Sequence, residues 1–268
     1  MRHDEALRIC TWNVNSLKVR FDQLKQLLET ERWDIVCLQE TKMTDDRFPY
    51  EAFRAIGYAA FHAGQPSYNG IAILARLERF QQFELIQASL PHGDDHQQRF
   101  LLAQIDGLLI ANAYVPNGQS VDSEKYQYKL SWLDHLHKFL AETNSCSRSF
   151  ALLGDFNIAP NDIDVHDPEL WRDQVLCTAQ ERDRFEQLLA LGLIDSFRYI
   201  DPTNKTYSWW DYRQLAFQKN KGLRIDHILV SKPLATSLAA CEIFRQARKA
   251  EKASDHAPVV AMFKSIGC

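Results

Sequence analysis

The sequence lacks long apolar runs, and this absence excludes a membrane-spanning helix. No segment of the chain approaches the roughly 20 consecutive apolar residues that a membrane-spanning helix needs. The N-terminal segment, MRHDEALRIC, is charged and lacks the apolar core of a secretion signal. The sequence therefore predicts a cytoplasmic protein that does not act at a membrane.

Cysteine pairs are also missing, although the chain has six cysteines. None forms a Cys-x-x-Cys pair, and two of them fall inside strand-like apolar runs. A disulfide framework or a zinc site needs pairs at short, regular spacings. The cysteines are therefore interpreted as small buried hydrophobic residues or incidental thiols. They are Cys10, Cys37, Cys146, Cys177, Cys241 and Cys268.

Short-period repeats, low-complexity segments and linker-like stretches are absent as well. Hydrophobic residues make up 46% of the chain and charged residues 25%, which is typical of a globular enzyme. A chain of 268 residues is long for one average domain, but mixed α/β domains often reach this size. We predict a single domain over residues 1–268 that folds alone and is a monomer.

Basic residues are slightly outnumbered by acidic residues overall, but they are in excess near the C-terminus. The net charge is −4, yet residues 198–252 hold 11 Lys and Arg against 5 Asp and Glu, whereas residues 1–197 hold 19 against 29. Such a basic region can attract phosphates even when the total charge is negative. A solvated face of mixed charge is the alternative interpretation.

Apolar periodicity predicts alternating strands and helices. LRICTWNV and DIVCLQET are typical of strands, with the helical pattern VRFDQLKQLLET between them. In LLAQIDGLLIANAYVP, the pair Asp106-Gly107 indicates a hairpin, and a long amphipathic helix then leads into FALLGDFN.

The second half of the chain repeats this plan. ERDRFEQLLALGLID indicates a helix that closes at Gly192, and TYSWW, LRIDHILVS and APVVAMF indicate strands. Two packed mixed sheets with helices outside accommodate this order. We predict an α/β fold, specifically a four-layer α/β/β/α sandwich.

Polar side chains follow the predicted strands at five places, and a sixth place precedes the last strand. Singly, Asn or Asp at a strand end most often makes a turn, and a His beside an Asp is most often a structural pair. Their co-occurrence predicts one cleft where the strand ends converge. The residues are Asn13, Asn15, Glu40, Tyr114, Asn117, Asp155, Asn157, Asp226, Asp255 and His256.

These motifs closely resemble, in order and spacing, the exonuclease III family of abasic-site endonucleases, within the endonuclease/exonuclease/phosphatase superfamily. The resemblance spans residues 8–263 and implies a single catalytic domain of that type. It is carried by TWNVNS, LQETK, YNGIAIL, NAYVPNG, GDFNIAP, YSWWDYR, GLRIDHILVS and SDHAPVV.

The resemblance implies a divalent cation held by Glu40 with Asn13 nearby, assisted by Asp255. A hard ion with few protein oxygen ligands fits Mg²⁺, with Mn²⁺ as a substitute. Some relatives carry Asp where this chain has Asn15, so the resemblance does not assign Asn15 to the metal.

The resemblance also implies the catalytic roles. Asp155 and Asn157 would position the attacking water. His256, oriented by Asp226, would contact the scissile phosphate, and Tyr114 and Asn117 would add hydrogen bonds to it. Either Asp155 or His256 could be the general base.

The segment TYSWWDYRQLAFQKNKGLRID combines aromatic and cationic residues, a composition that suits DNA. An aromatic strand is usually core, so we expect one tryptophan to be buried; by resemblance, Trp209 would face an abasic pocket. The predicted DNA contacts are Asn117, Trp209, Arg213, Lys221 and Arg224. His166, in DIDVHDPELW, is either a surface loop residue or narrows that pocket in favour of 3′ ends.

The sequence thus predicts a Mg²⁺-dependent DNA repair hydrolase that cleaves duplex DNA 5′ to abasic sites and at blocked 3′ ends, with 3′–5′ exonuclease activity. An enzyme that acts mainly on 3′ ends is one alternative. A lipid phosphodiesterase of the same superfamily is another, but no membrane-binding segment is evident. A non-catalytic DNA-binding module is the alternative from a different class, although every catalytic position retains competent chemistry.

Overall fold

Twelve strands form two six-stranded mixed sheets in the computed structural model, which describes residues 6–91 and 97–264. In chain order they are β1 (Leu7–Asn13), β2 (Ile35–Gln39), β3 (Tyr58–Ala63), β4 (Ile71–Arg76), β5 (Phe83–Gln87), β6 (Phe100–Ile105), β7 (Leu108–Tyr114), β8 (Phe150–Asp155), β9 (Leu193–Asp195), β10 (Asp226–Ser231), β11 (Leu238–Ile243) and β12 (Val259–Phe263). The first sheet has the order β11-β12-β1-β2-β4-β3, and the second β5-β6-β7-β8-β10-β9.

Each sheet contains one parallel pair, β1 with β2 and β7 with β8, and the other neighbours are antiparallel. A parallel pair needs a long crossover, which a helix supplies in both sheets. The helices are α1 (Leu17–Glu31), α2 (Tyr50–Ala55), α3 (Glu124–Thr143), α4 (Ala179–Ala190), α5 (Ser196–Ile200) and α6 (Lys232–Ala235). Helix α1 connects β1 to β2, and α3 lies between β7 and β8.

The core is layered as the sequence predicts. One cluster lies between the sheets and joins Ile9 and Ile73 of the first sheet to Ile110 and Leu153 of the second. Two outer clusters pack α1 and α2 on the first sheet, and α3 and α4 on the second. The predicted α/β/β/α sandwich is therefore confirmed.

Most predicted elements are present, with two corrections. TYSWW is not a regular strand, because Trp209 makes only isolated bridges to Leu223 and His256. Asp226 does not follow an apolar strand but begins β10, which runs antiparallel to β8. The predicted hairpin at Asp106-Gly107 does connect β6 to β7.

Two further predictions concern cysteines and membrane spans. Cys10, Cys37, Cys177 and Cys241 are free and buried, as predicted, and Cys268 lies outside the described residues, as does the start of MRHDEALRIC. Within residues 6–91 and 97–264, every helix is too short or too polar to span a bilayer.

Candidate active site

The ends of six strands meet at one edge of the two sheets. In the first sheet, the parallel register places Asn13 beside Gln39, the residue before Glu40. In the second sheet, Tyr114 pairs with Asp155. Asp155 also pairs with Asp226, since β10 begins where β8 ends, and His256 precedes β12. The topology therefore gathers these residues at one edge of the two sheets, which is the position predicted for the cleft.

Unusual backbone conformations accompany this convergence. Glu40 and Asn157 have φ angles of 55° and 50°, a left-handed conformation that costs free energy for residues other than glycine. Gly154 allows β8 to approach β7 closely, because a Cβ there would lie 1.8 Å from the Ala113 carbonyl oxygen. The strand end that carries Asp155 is thus fixed by tight backbone packing.

Asn13 joins the two sheets at this edge. Its side-chain Nδ2 donates to Glu40 Oε1 and to Asp155 Oδ2, both at 2.9 Å, while its Oδ1 accepts from the Asn15 backbone N–H. Asn13 is completely buried. One amide therefore fixes the separation of two carboxylates that belong to different sheets.

Glu40 is held as an ionised carboxylate. Burial works against its charge, but hydrogen bonds from Asn13 and Lys42 outweigh it and lower the pKa of Glu40. Lys42 Nζ lies 2.8 Å from Oε2, and the Tyr114 hydroxyl donates to Oε1 at 2.8 Å. Burial raises the pKa of Tyr114, so the phenol remains a neutral donor.

His256 is oriented by Asp226, as the sequence predicts. Its Nδ1 donates to Asp226 Oδ2 at 2.9 Å, and Ser208 Oγ donates to the same oxygen at 2.6 Å. Burial alone would lower the pKa of His256, but the carboxylates of Asp226 and Asp155 raise it to about 10. The imidazole is therefore charged at neutral pH, with its second N–H available in the cleft.

Asp155 faces that second N–H across a short gap. His256 Nε2 lies 3.8 Å from Asp155 Oδ2, which is too long for a hydrogen bond. Burial raises the pKa of Asp155 to about 7, although the His256 charge acts to lower it. Asp155 and His256 are thus placed to share an incoming oxygen atom between them.

Asp255 lies on the Trp209 side of the cleft. It accepts hydrogen bonds from Asn15 Nδ2 at 2.9 Å and from Trp209 Nε1 at 3.0 Å. Burial opposes its ionisation, but the nearby His256 charge and these two bonds hold the pKa of Asp255 below its usual value. Trp209 is half-buried and Trp210 is fully buried, so the expectation of one buried tryptophan is confirmed.

Asn117 and Asn157 form an amide pair. Asn117 Nδ2 donates to Asn157 Oδ1 at 3.0 Å, and Asn157 Nδ2 donates to the Val115 carbonyl at 3.0 Å. The Asn157 backbone N–H donates to Asp155 Oδ1 at 2.9 Å. Asn117 is exposed, so the pair runs from the carboxylate out to solvent.

The predicted basic DNA contacts separate into two groups. Arg213 and Lys221 are exposed, although Arg213 is paired with Asp211 at 2.6 Å. Arg224 is only 1% exposed and lies between Asp164 at 2.7 Å and Asp195 at 2.8 Å. The prediction that Arg224 contacts DNA is therefore wrong, since its guanidinium neutralises two buried carboxylates.

His166 belongs to a row of aromatic rings beside the cleft. Its backbone N–H donates to the Gly222 carbonyl at 3.1 Å, and its ring centroid lies 6.5 Å from that of Trp171. Trp171 packs edge to face with Trp209, again at 6.5 Å, and Trp209 contacts Asp255. His166 is thus connected to the cleft through two rings.

Comparison with known proteins decides the family. The sequence pattern of the endonuclease/exonuclease/phosphatase family matches residues 10–256. The chain belongs to this family. Exodeoxyribonuclease III of Haemophilus influenzae is 36% identical over 271 residues, which cover 96% of this chain and 100% of that protein.

Solved structures agree with the family assignment. A 3′ phosphatase from Neisseria, bound to a product DNA hairpin, is 42% identical, with a TM-score of 0.91, and the match covers 97% of this chain and 100% of that one. An AP endonuclease from Archaeoglobus fulgidus is 38% identical, with a TM-score of 0.92 and coverage of 96% and 99%. The predicted resemblance to the exonuclease III family, and with it a DNA repair nuclease, is confirmed.

Sequence reasoning missed residues that support this family's site. Ser208 donates to Asp226, and Lys42 donates to Asn15 Oδ1 at 2.6 Å as well as pairing with Glu40. Both lie within quoted motifs, YSWW and LQETK, but serine and lysine there give no signal of their partners. Only the fold reveals which carboxylate each one contacts.

Proposed function

We propose that this protein is a Mg²⁺-dependent phosphodiesterase of DNA repair. It cleaves duplex DNA 5′ to abasic sites, removes blocking groups from 3′ ends, and degrades DNA 3′ to 5′. The observation that carries the proposal is the arrangement of Asp226, His256 and Asp155 in a row, with Glu40 joined to Asp155 through Asn13. This arrangement combines an acid, a base and an anionic oxygen ligand in one cleft.

The residues fit Mg²⁺, with Mn²⁺ as a substitute. Glu40 is an ionised oxygen donor whose side chain is 18% exposed, and the Lys42 ammonium already lies against it, so its surroundings suit a cation. Asp255 would supply a further oxygen atom, and Asn13, whose Nδ2 donates to Glu40, would hold that carboxylate in place beside the ion. When bound, Mg²⁺ would offset the negative charge that develops on the phosphate.

The chain's own residues supply the proton chemistry. Against the effect of burial, the Asp226 carboxylate, 2.9 Å from Nδ1, raises the pKa of His256, so its Nε2–H would act as a donor to a phosphate oxygen rather than as a base. Asp155, with its pKa raised to about 7, is then the group that accepts the proton of the attacking water. Asn157 orients this water, and the Tyr114 hydroxyl adds a hydrogen bond to the phosphate.

The substrate is duplex DNA with abasic sites or 3′ ends. The exposed residues Asn117, Arg213 and Lys221 would contact the backbone, and Trp209 would lie against the extruded sugar. The activities of the related proteins, a 3′ phosphatase and an AP endonuclease among them, support this substrate class. A monomeric state, a single domain and a cytoplasmic location stay predictions.

A second candidate function is processing of 3′ ends with weak cleavage at internal abasic sites. The row of His166, Trp171 and Trp209 beside the cleft favours it, because these rings would narrow a pocket for an extruded sugar. We expect His166→Gly to raise the rate on an internal abasic duplex relative to a 3′-phosphate end. Unchanged relative rates would exclude a role for His166.

The test is a set of side-by-side rates on three oligonucleotide duplexes, carrying an internal abasic site, a 3′-phosphate or a recessed 3′ end. Cleavage of all three in Mg²⁺, and of none in EDTA, is the expected result. A protein that binds these duplexes but cleaves none of them would be a DNA-binding module, and the proposal would fail. The ranking of the three rates decides between the two candidate functions.

A further inference from the structure

Lys129 is a fully buried lysine on α3 that the proposed chemistry does not use. Its side chain is 0% exposed, and its Nζ lies 2.6 Å from the Asn157 carbonyl oxygen, 3.2 Å from the Asn117 carbonyl oxygen and 2.5 Å from Glu181 Oε1. A lysine ammonium has three N–H donors, so all three are occupied. Two of its three acceptors belong to the amide pair of the cleft.

The amide pair needs such support. Asn157 has a left-handed backbone, with φ of 50°, a conformation that asparagine adopts more readily than most residues but that its surroundings must still fix. The hydrogen bond from Lys129 to its carbonyl oxygen supplies one of those fixed points. The same ammonium also donates to the Asn117 carbonyl oxygen, so the backbones of both residues of the pair are held by a single nitrogen atom.

Glu181 prevents Lys129 itself from moving. Its Oε1 also accepts from the Leu176 backbone N–H at 3.0 Å, and its Oε2 accepts from the backbone N–H and the hydroxyl of Thr178, both at 2.9 Å. Glu181 is the third residue of α4 and completes the capping box that begins the helix. The ion pair is therefore anchored to the start of a helix rather than to a flexible side chain.

A role in stability alone does not account for this arrangement. Buried ion pairs contribute little net stability, and well-packed apolar residues often replace them without loss. Here the ammonium extends past its carboxylate to the backbone of two cleft residues. We propose that Lys129 is a positioning residue that sets the orientation of the Asn117–Asn157 amide pair, and with it the orientation of Asn157 toward the attacking water. The inference rests on the role given to Asn157 in the proposed function.

A double-mutant cycle tests the inference. Lys129→Met, Asn157→Ala and the double variant are compared with the wild type on a 3′-phosphate duplex, with kcat and KM measured separately. Misplacing a reacting group by about 1 Å can cost on the order of 100-fold in rate, so we expect Lys129→Met to lower kcat by about 10- to 100-fold. We expect KM within about threefold of the wild type, and we expect the double variant to match Asn157→Ala alone.

Three other results would count against positioning. If the losses of Lys129→Met and Asn157→Ala multiply, Lys129 acts independently of Asn157 and the inference is wrong. If only KM changes, Lys129 affects binding and not orientation. If Asn157→Ala alone has the kcat of the wild type, the proposed role of Asn157 is wrong, and so is the inference that rests on it. The Asn157→Ala variant by itself therefore distinguishes this failure of the proposed function from the two failures of the inference.

A second variant serves as the control for a loss of folding. Lys129→Met leaves Glu181 buried without its partner, so urea unfolding is measured for each variant. Should Lys129→Met not fold, Lys129→Met/Glu181→Gln removes both charges and enters the same cycle in its place. Gln at position 181 retains an oxygen for the capping box, so the expected kcat loss and its disappearance in the Asn157→Ala background are unchanged.

Discussion

Replacing Arg224 with Met should reduce stability far more than it affects DNA binding. Arg224 is 1% exposed and contacts Asp164, Asp195 and His227. Removing one partner of a buried ion pair typically costs about 3 to 5 kcal/mol. Asp164 would keep its pairing with Arg198, so the lower end, about 3 kcal/mol, is expected here.

Urea unfolding of Arg224→Met measures this loss directly. Lys221→Met is the matched control, since Lys221 lies three residues away and is exposed. We expect the control to stay within about 0.5 kcal/mol of the wild type. In DNA-binding assays over a range of salt concentrations, Lys221→Met should lower the salt slope by about 1, whereas folded Arg224→Met should not change it. A stable Arg224→Met with a reduced salt slope would refute the burial argument.

Three further predictions concern the metal, the pH dependence and the tryptophans. Chelation by EDTA should abolish cleavage while DNA binding persists, and added Mg²⁺ should restore it, as single-turnover assays can check. Burial and the Arg224 guanidinium lower the pKa of His227 to about 4, so an unfolded chain with a histidine pKa near 6.5 takes up a proton first as pH falls. The stability contributed by His227 should therefore fall below about pH 6.5, by about 2 kcal/mol at pH 5, and the pH dependence of urea unfolding for His227→Gln should differ from that of the wild type by this amount. Trp209→Phe, which loses the bond to Asp255, should lower kcat/KM by about tenfold with little change in stability, whereas Trp210→Ala should cost about 3 to 5 kcal/mol in unfolding free energy.

The sequence was sufficient to predict the layers and most of the cleft. Apolar periodicity locates the strands, and the polar residues at their ends mark the edge where Asn13, Glu40 and Asp155 meet. The polar residues mark this edge correctly because the parallel pairs β1–β2 and β7–β8 place their carboxyl ends together. Local pattern and topology agree there.

Partners from distant parts of the chain could not be predicted. Arg224 and Lys221 stand in the same basic segment, yet Asp164, 60 residues earlier, makes Arg224 a buried ion-pair residue. Lys129 lies in an amphipathic helix, where a lysine usually faces solvent. The direction of β10 could not be predicted either, because an apolar run does not show whether Asp226 begins or ends its strand. Each of these depends on tertiary packing rather than local sequence.

The proposed chemistry requires Asp155 and His256 to act together on one phosphate. The most direct test is kcat for Asp155→Asn, His256→Ala and the double variant, with DNA affinity measured beside it. We expect each single variant to lose roughly 100- to 10,000-fold in kcat and to retain DNA binding, and we expect the double variant to have nearly the same kcat as the slower single variant. Near-normal kcat in both single variants, or losses that multiply in the double variant, would contradict the proposed chemistry.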